Sequence, residues 1–324
     1  MDTGSRILVI GAGTMGHGIA QQAAMHGFSV ALVDQNEAAL GKAGLMVREH
    51  LDFMRGKNLL SVQDIEKIPA RIRYSTDLPA EAAQADFVFE AIFEDIEIKR
   101  TVFAELGECA RSDVVLASNT SSFDIGALCE VTRNPARVIG AHWFHPPQAT
   151  PCIELIMAPQ TSEQTLYRAQ AMAVALGKYP TRCTNAPGFV ANRIQFAMAA
   201  EACKIVEEGL ATPEEVDRIV KSSFGFRLGA FGPFEIADQA GIDVYLSIFE
   251  YLHTHLKNPQ FAPPALLRAM TKEKRLGLKS GKGFYDYSGD KANTLRRVRD
   301  ERLFDRLELF QKEHVEEFSP QAPA

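Results

Sequence analysis

The run Gly11-Ala12-Gly13-Thr14-Met15-Gly16 has the residue types and spacing of a phosphate cradle. It follows the apolar segment Arg6–Ile10 and opens a helical pattern, Met15–Met25. Gly11 permits a tight turn, Gly13 lets a pyrophosphate approach the backbone, and Gly16 lets helix and strand pack closely. The plainer alternative is a structural glycine turn. Asp34 weighs against it, because it closes the next apolar run, Ser29–Val33, where an adenosine ribose needs a hydrogen-bond acceptor. A carboxylate there repels a 2′-phosphate, and Gln35-Asn36 offers no arginine, so NAD is favoured over NADP.

Further polar residues sit at the ends of apolar runs. Glu90 and Glu94 follow one, Asn119-Thr120-Ser121-Ser122 follows Leu116-Ala117-Ser118, and His142 follows Val138-Ile139-Gly140. In an open α/β sheet, ligands bind outside the carboxyl ends of the strands, which makes these residues site candidates. A histidine there can pass a proton in either direction near neutral pH. Ser121 and Asn192 can stabilise negative charge developing on an oxygen. Glu154 interrupts the apolar run Cys152-Ile153-Leu155-Ile156, and a carboxylate is costly to bury unless it is paired. A histidine partner would satisfy it and fix the imidazole tautomer. Each residue also has a plainer reading. Ser121 or Ser122 can N-cap the helix running to Glu130. Asn192 can make an inter-domain hydrogen bond. His142 and His145 can form a metal pair, but no third ligand lies at metal spacing, so no metal is expected.

These residues need a scaffold. Strands are predicted at Arg6–Ile10, Ser29–Val33, Asp86–Ala91, Asp113–Ser118, Arg137–Ala141 and Cys152–Met157, with helices at Met15–Met25, Glu37–Arg55, Glu97–Ala110 and Ser122–Glu130. Nearly continuous apolar strands alternating with helices predict a Rossmann-type, doubly wound α/β domain. After Asn185-Ala186-Pro187-Gly188 strand-like runs almost vanish, and Phe189–Glu208, Pro213–Ser222, Ile242–His255 and Pro264–Lys274 read as helices. The expected division is an NAD-binding domain over 1–185, an all-α domain over 186–290, and a C-terminal extension and tail over 291–324. In the extension, Leu295, Val298, Leu303, Leu307 and Phe310 form a narrow apolar stripe on the predicted helix Thr294–Glu313. Such a stripe is expected to dock, on its own helical domain or on a partner subunit. The final residues, 319–324, are expected to fray.

Composition narrows the function. The 324 residues are enough for about two domains, each with its own core. The formal net charge of −6 argues against a nucleic-acid binder. No window is apolar enough for a membrane helix, and a strand near the N-terminus leaves no room for a signal peptide before it. Five cysteines without a CxxC pair fit the reducing cytoplasm.

GAGTMGHGIA, SNTSS, AHWFHPP with IELI behind it, NAPGFVANR, FGPFEIAD and SGKGFYDY, in this order, resemble the L-3-hydroxyacyl-CoA dehydrogenase family over residues 5 to 288. The longer form, with FGFRLGAFGPFE and a charged last helix, is similar to a bacterial branch near L-gulonate 3-dehydrogenase, lambda-crystallin and carnitine dehydrogenase. The resemblance implies that His142 is the general acid/base, that Glu154 orients it, and that Ser121 and Asn192 hold the C3 oxygen of the substrate. It also implies that Glu94 and Lys99 lie near the nicotinamide ribose, that Asn119 lies on the cofactor side, and that the protein dimerises through its helical domain. With Asn192 assigned to the helical domain, the site is expected in a cleft between domains. One departure is His145, at a substrate-contact position where the family usually has asparagine. Between Gly41 and Ser75, seven basic residues stand against four acidic ones, and Arg55 and Lys57 are the expected contacts for the phosphates of coenzyme A. The expected activity is NAD-dependent interconversion of an L-3-hydroxyacyl-CoA and its 3-oxoacyl-CoA. The alternatives are dehydrogenation of a free 3-hydroxy acid or a non-catalytic, crystallin-like NAD binder.

Overall fold

The computed structural model describes residues 4–313. The chain packs as two units, one running through Ala199 and one starting at Ala200. The first contains β1 (Arg6–Ile10), α1 (Gly16–Met25), β2 (Ser29–Val33), α2 (Glu37–Gly56), α3 (Val62–Ala70), β3 (Ile72–Ser75), α4 (Leu78–Ala82), β4 (Phe87–Glu90), α5 (Ile96–Cys109), β5 (Val115–Ser118), α6 (Ile125–Val131), β6 (Val138–Trp143), β7 (Cys152–Met157), α7 (Glu163–Ala175) and β8 (Tyr179–Thr184). Helix α8 (Ala191–Glu207) begins in this unit and ends in the next.

The eight strands form one sheet in the order β3-β2-β1-β4-β5-β6-β7-β8. All neighbours are parallel except β6 and β7, which are antiparallel. Ile7, Val9, Phe87 and Phe89 face one core with residues of α1, α2 and α7; Leu8, Val88 and Leu116 face another with Phe103, Leu106 and Leu128. Burial on both faces explains the unbroken apolar runs. The chain leaves β1 toward β2 and β3, then crosses back to β4 on the other side of β1. This reversal opens a crevice at the strand ends.

Two strands absent from the sequence reading, β3 and β8, are the sheet edges. In β3 only Ile72 is buried, and in β8 only Cys183 is, so neither has an apolar period to detect. Pro180 within β8 is compatible with an edge position. Helices α3, α4 and α7 were also not anticipated. The expected helix start at Ser122 shifts as well: α6 begins at Ile125 because the Asp124 carboxylate accepts from Gly126 N at 2.7 Å, so neither Ser121 nor Ser122 caps it.

The second unit contains α9 (Pro213–Ser222), α10 (Phe224–Leu228), α11 (Pro233–Ala240), α12 (Ile242–Leu256), α13 (Ala265–Lys272) and α14 (Lys291–Glu313). Its small core is built from Ala237, Ile242, Leu267 and Met270. Buried Asp238 accepts from Phe284 N and Tyr285 N, both at 3.0 Å, and from the Tyr287 hydroxyl at 2.9 Å. That bonding ties FEIAD to GKGFYDY. The last helix packs on its own unit through polar and aromatic contacts: Arg302 donates to Ala230 O at 3.3 Å and lies over the Phe231 ring, Arg306 donates to Gly229 O, and Phe310 meets Phe226 edge-on. Cations suit the free carbonyls beyond the C-terminus of α10. No residue of α14 is fully buried, but Leu295, Val298, Leu303 and Phe310 of the expected apolar stripe are half-buried, whereas Arg302 and Arg306 are exposed. The tail at 319–324 lies outside the described residues.

Candidate active site

The antiparallel register between β6 and β7 places His142 directly opposite Glu154. His142 Nδ1 lies 2.9 Å from Glu154 Oε2, and both side chains are buried. The other carboxylate oxygen accepts from Val190 N at 3.1 Å and Ala191 N at 2.9 Å, at the start of α8. Burial raises the carboxyl pKa, but the hydrogen bond from His142 and the two amides outweigh it, so Glu154 titrates below its ordinary value. An ionised Glu154 accepts from Nδ1–H and leaves Nε2 as the acceptor of the neutral ring. Phe144 and Phe189 flank the imidazole, with centroids at 4.5 and 5.7 Å.

A second set of polar residues extends from β4 to the loop after β5. Lys99 is fully buried and donates to Glu90 at 2.6 Å; Glu90 also accepts from Ser118 Oγ at 2.6 Å. The Lys99 ammonium lies 3.3 Å from Glu94 as well. Glu94 accepts from Thr120 Oγ1 at 2.7 Å, Ser121 N at 2.9 Å and Ser121 Oγ at 3.3 Å. Burial raises the Glu94 pKa, but these donors and Lys99 lower it further, so the net shift is downward. Asn119 accepts from Trp143 N at 2.8 Å, joining this loop to the strand that carries His142. Asn192 Nδ2 donates to Ser121 O at 2.9 Å. Asn192 lies on the first turn of α8, and its hydrogen bond to Ser121 is made within the first compact unit.

A cleft of about 940 Å³ opens beside these groups. Its walls include Gly11, Gly13, Thr14, Met15, Asp34, Glu94, Asn119, Ser121, His142 and His145. Gly16 and Lys99 lie behind the walls. At Gly16 a Cβ would overlap the Gly11 carbonyl oxygen. Gly11 has φ +98°, whereas a Cβ on Gly13 would enter open space, leaving a cradle for a pyrophosphate. The Asp34 carboxylate accepts from Ala12 N at 2.8 Å and Asn36 N at 2.9 Å, which holds it at the end of β2. This surface fits a dinucleotide. Arg55 and Lys57 do not line the cleft. Arg55 pairs with Asp52 at 3.2 Å, and Lys57 lies 5.8 Å from the Phe53 ring centroid. Ser118 and Thr120 had no assigned role in the sequence reading. Their position at a strand end was the available signal, but their partners lie more than twenty residues away.

Residues 6–186 match the NAD binding domain of 3-hydroxyacyl-CoA dehydrogenase, and residues 188–287 match the C-terminal domain of the same enzyme. The chain belongs to the 3-hydroxyacyl-CoA dehydrogenase family. It is 40% identical over 279 residues to a probable 3-hydroxybutyryl-CoA dehydrogenase of Deinococcus radiodurans, covering 86% of this chain and 99% of that protein. The crystal structure of (S)-3-hydroxybutyryl-CoA dehydrogenase from Ralstonia eutropha is 38% identical, with a TM-score of 0.65 over 88% of this chain and 99% of that one. A 3-hydroxyacyl-CoA dehydrogenase from Archaeoglobus fulgidus reaches a TM-score of 0.77 at 30% identity, covering 94% of this chain and 99% of that one. This family member is an NAD-dependent oxidoreductase that interconverts 3-hydroxyacyl-CoA and 3-oxoacyl-CoA. No described helix is long and apolar enough to cross a membrane.

Proposed function

We propose that His142 is the general acid/base for a short L-3-hydroxyacyl-CoA. The supporting observation is the buried His142–Glu154 pair at the edge of the cleft. Its Nδ1 is engaged by Glu154, so Nε2 accepts the proton of the C3 hydroxyl during oxidation and returns it during reduction. Bound NAD supplies the acceptor for the hydride that leaves C3. Glu154 stabilises the resulting imidazolium, while the Ser121 hydroxyl and Asn192 amide steady charge on the C3 oxygen. Gly11, Gly13, Thr14, Met15 and Gly16 form the pyrophosphate turn, Asp34 takes the adenosine ribose, and Glu94, Lys99 and Asn119 border the nicotinamide side.

Arg55 and Lys57 are assigned to the phosphates of coenzyme A. The net positive charge of their segment in an acidic protein supports this role. We divide the chain at 185 into a cofactor domain and a helical substrate and dimerisation domain, with residues from 291 as an extension. Exposed Ile219, Ile248, Tyr251 and Leu256 on α9 and α12 support a homodimer through the helical domain. Five free cysteines support a cytoplasmic location, and the family's acyl-CoA chemistry supports a place in fatty acid metabolism.

His145 favours a second reading, a free 3-hydroxy acid, because its imidazole can bind a carboxylate. The test compares kcat/KM for 3-hydroxybutyryl-CoA with L-gulonate, L-carnitine and free 3-hydroxybutyrate. The thioester is expected to win by more than tenfold. A free acid ahead by tenfold, about 1.4 kcal/mol of transition-state preference, would overturn the thioester assignment.

A further inference from the structure

The loop from Phe144 to Pro151 connects β6 to β7 and carries His145 to the cleft wall. Its own ties are few. Ala149 N and Thr150 N both donate to Pro146 O at 3.0 Å, and Thr150 Oγ1 reaches His145 O at 3.3 Å. Pro146 and Pro147 have no amide to contribute.

Tyr179 N, at the start of β8, donates to Pro151 O at 2.8 Å, and two further ties come from Lys178, which lies between α7 and β8. Its Nζ donates to Pro147 O at 2.5 Å and to Thr150 O at 2.8 Å. The side chain is buried, and among the described residues no carboxylate pairs with it. The same ammonium lies 5.5 Å from the centroid of the Trp143 ring, on the residue next to His142. On another side the loop abuts α1 so closely that a Cβ on Gly18 would come within 2.5 Å of Pro147 Cγ.

A buried cation without a counter-ion is costly, and burial lowers the Lys178 pKa accordingly. An apolar side chain would fill the volume without that cost, but it could not bind two carbonyl oxygens and an indole face at once. We propose that Lys178 is a positioning residue that clamps the 144–151 loop, fixing His145 and the end of β6 relative to His142. The proposal rests on the assignment of His142 and His145 to the substrate site. It concerns substrate placement and not cofactor binding, because Gly11, Gly13 and Asp34 make no hydrogen bond to Lys178.

The test is Lys178→Met, assayed with acetoacetyl-CoA and NADH. The expected result is a loss of tenfold or more in kcat/KM for acetoacetyl-CoA, with Kd for NADH unchanged within twofold. Trp143 is the sole tryptophan, so removing the ammonium from its ring should displace the emission maximum. A kcat/KM within twofold of the parent, an equal loss of NADH affinity, or unaltered emission would each overturn the proposal. If Lys178→Met does not fold, Lys178→Gln removes the charge with less change in polarity, and the same three readouts apply. Activity in Lys178→Met beside an inactive His142→Ala would reject the clamp alone. Activity in both would reject the site assignment.

Discussion

Glu154 in the first unit and Asp238 in the second have nearly the same hydrogen bonds. Each carboxylate is buried, accepts two consecutive backbone amides, and accepts one side-chain donor. What distinguishes them is the donor. Glu154 holds a histidine on a strand that lines a large cleft. Asp238 holds the Tyr287 phenol, whose pKa is pushed far up by burial and by Asp238 itself. It lies so close to the glycine-rich loop that a Cβ on Gly277 or Gly283 would strike it. A satisfied buried carboxylate is therefore no signature of catalysis. One carboxylate holds an imidazole at the wall of a cleft, and the other closes a loop.

Removing the donors and acceptors separates these roles. The largest effect is expected for His142→Ala: kcat should fall on the order of 10³-fold while NADH binding, read by fluorescence titration, stays within twofold. Near-normal turnover would remove the catalytic half of the comparison. Asp238→Asn should instead act on stability. It places an NH2 among buried donors, at a cost of roughly 3 kcal/mol in denaturant unfolding of the second unit, with kcat changed only a few-fold. A large kcat loss at unchanged stability would show that Asp238 is not merely structural.

The smallest effect is a pH dependence. The folded-state pKa of Glu154 lies below its unfolded value, so the stability it contributes is present above the ordinary glutamate value of about 4.3 and is lost as pH falls through the folded value. The melting-temperature gap between the parent and Glu154→Gln should therefore hold from neutrality to mild acid and narrow only below that range. A gap that narrows near neutrality would mean that His142 and the two amides do not hold the carboxylate ionised.

Much of the cofactor site was legible because it is local. The turn from Gly11 to Gly16 and the acid at Asp34 lie at the ends of consecutive buried strands, so a linear pattern records both the backbone geometry and its neighbours. His142 and Glu154 were legible as residues out of place, one at a strand end and one inside an apolar strand. By contrast, Arg55 and Lys57 stood out by charge, but the fold leaves them off the cleft walls. Asn192 stood out by its helical position, and its bond to Ser121 places it with the first unit.

The sequence by itself determined the two classes of unit, the glycine-rich turn and the residue types of the candidate site, because residue periodicity and glycine stereochemistry act over a few neighbours. Only the tertiary structure decided that β7 runs antiparallel to β6, which turns His142 and Glu154 into a pair. It also decided that Lys99 pairs with both Glu90 and Glu94, and that Lys178 donates to two loop carbonyls. Those outcomes depend on strand register and on which distant groups exclude water together, and no window of adjacent residues contains that information.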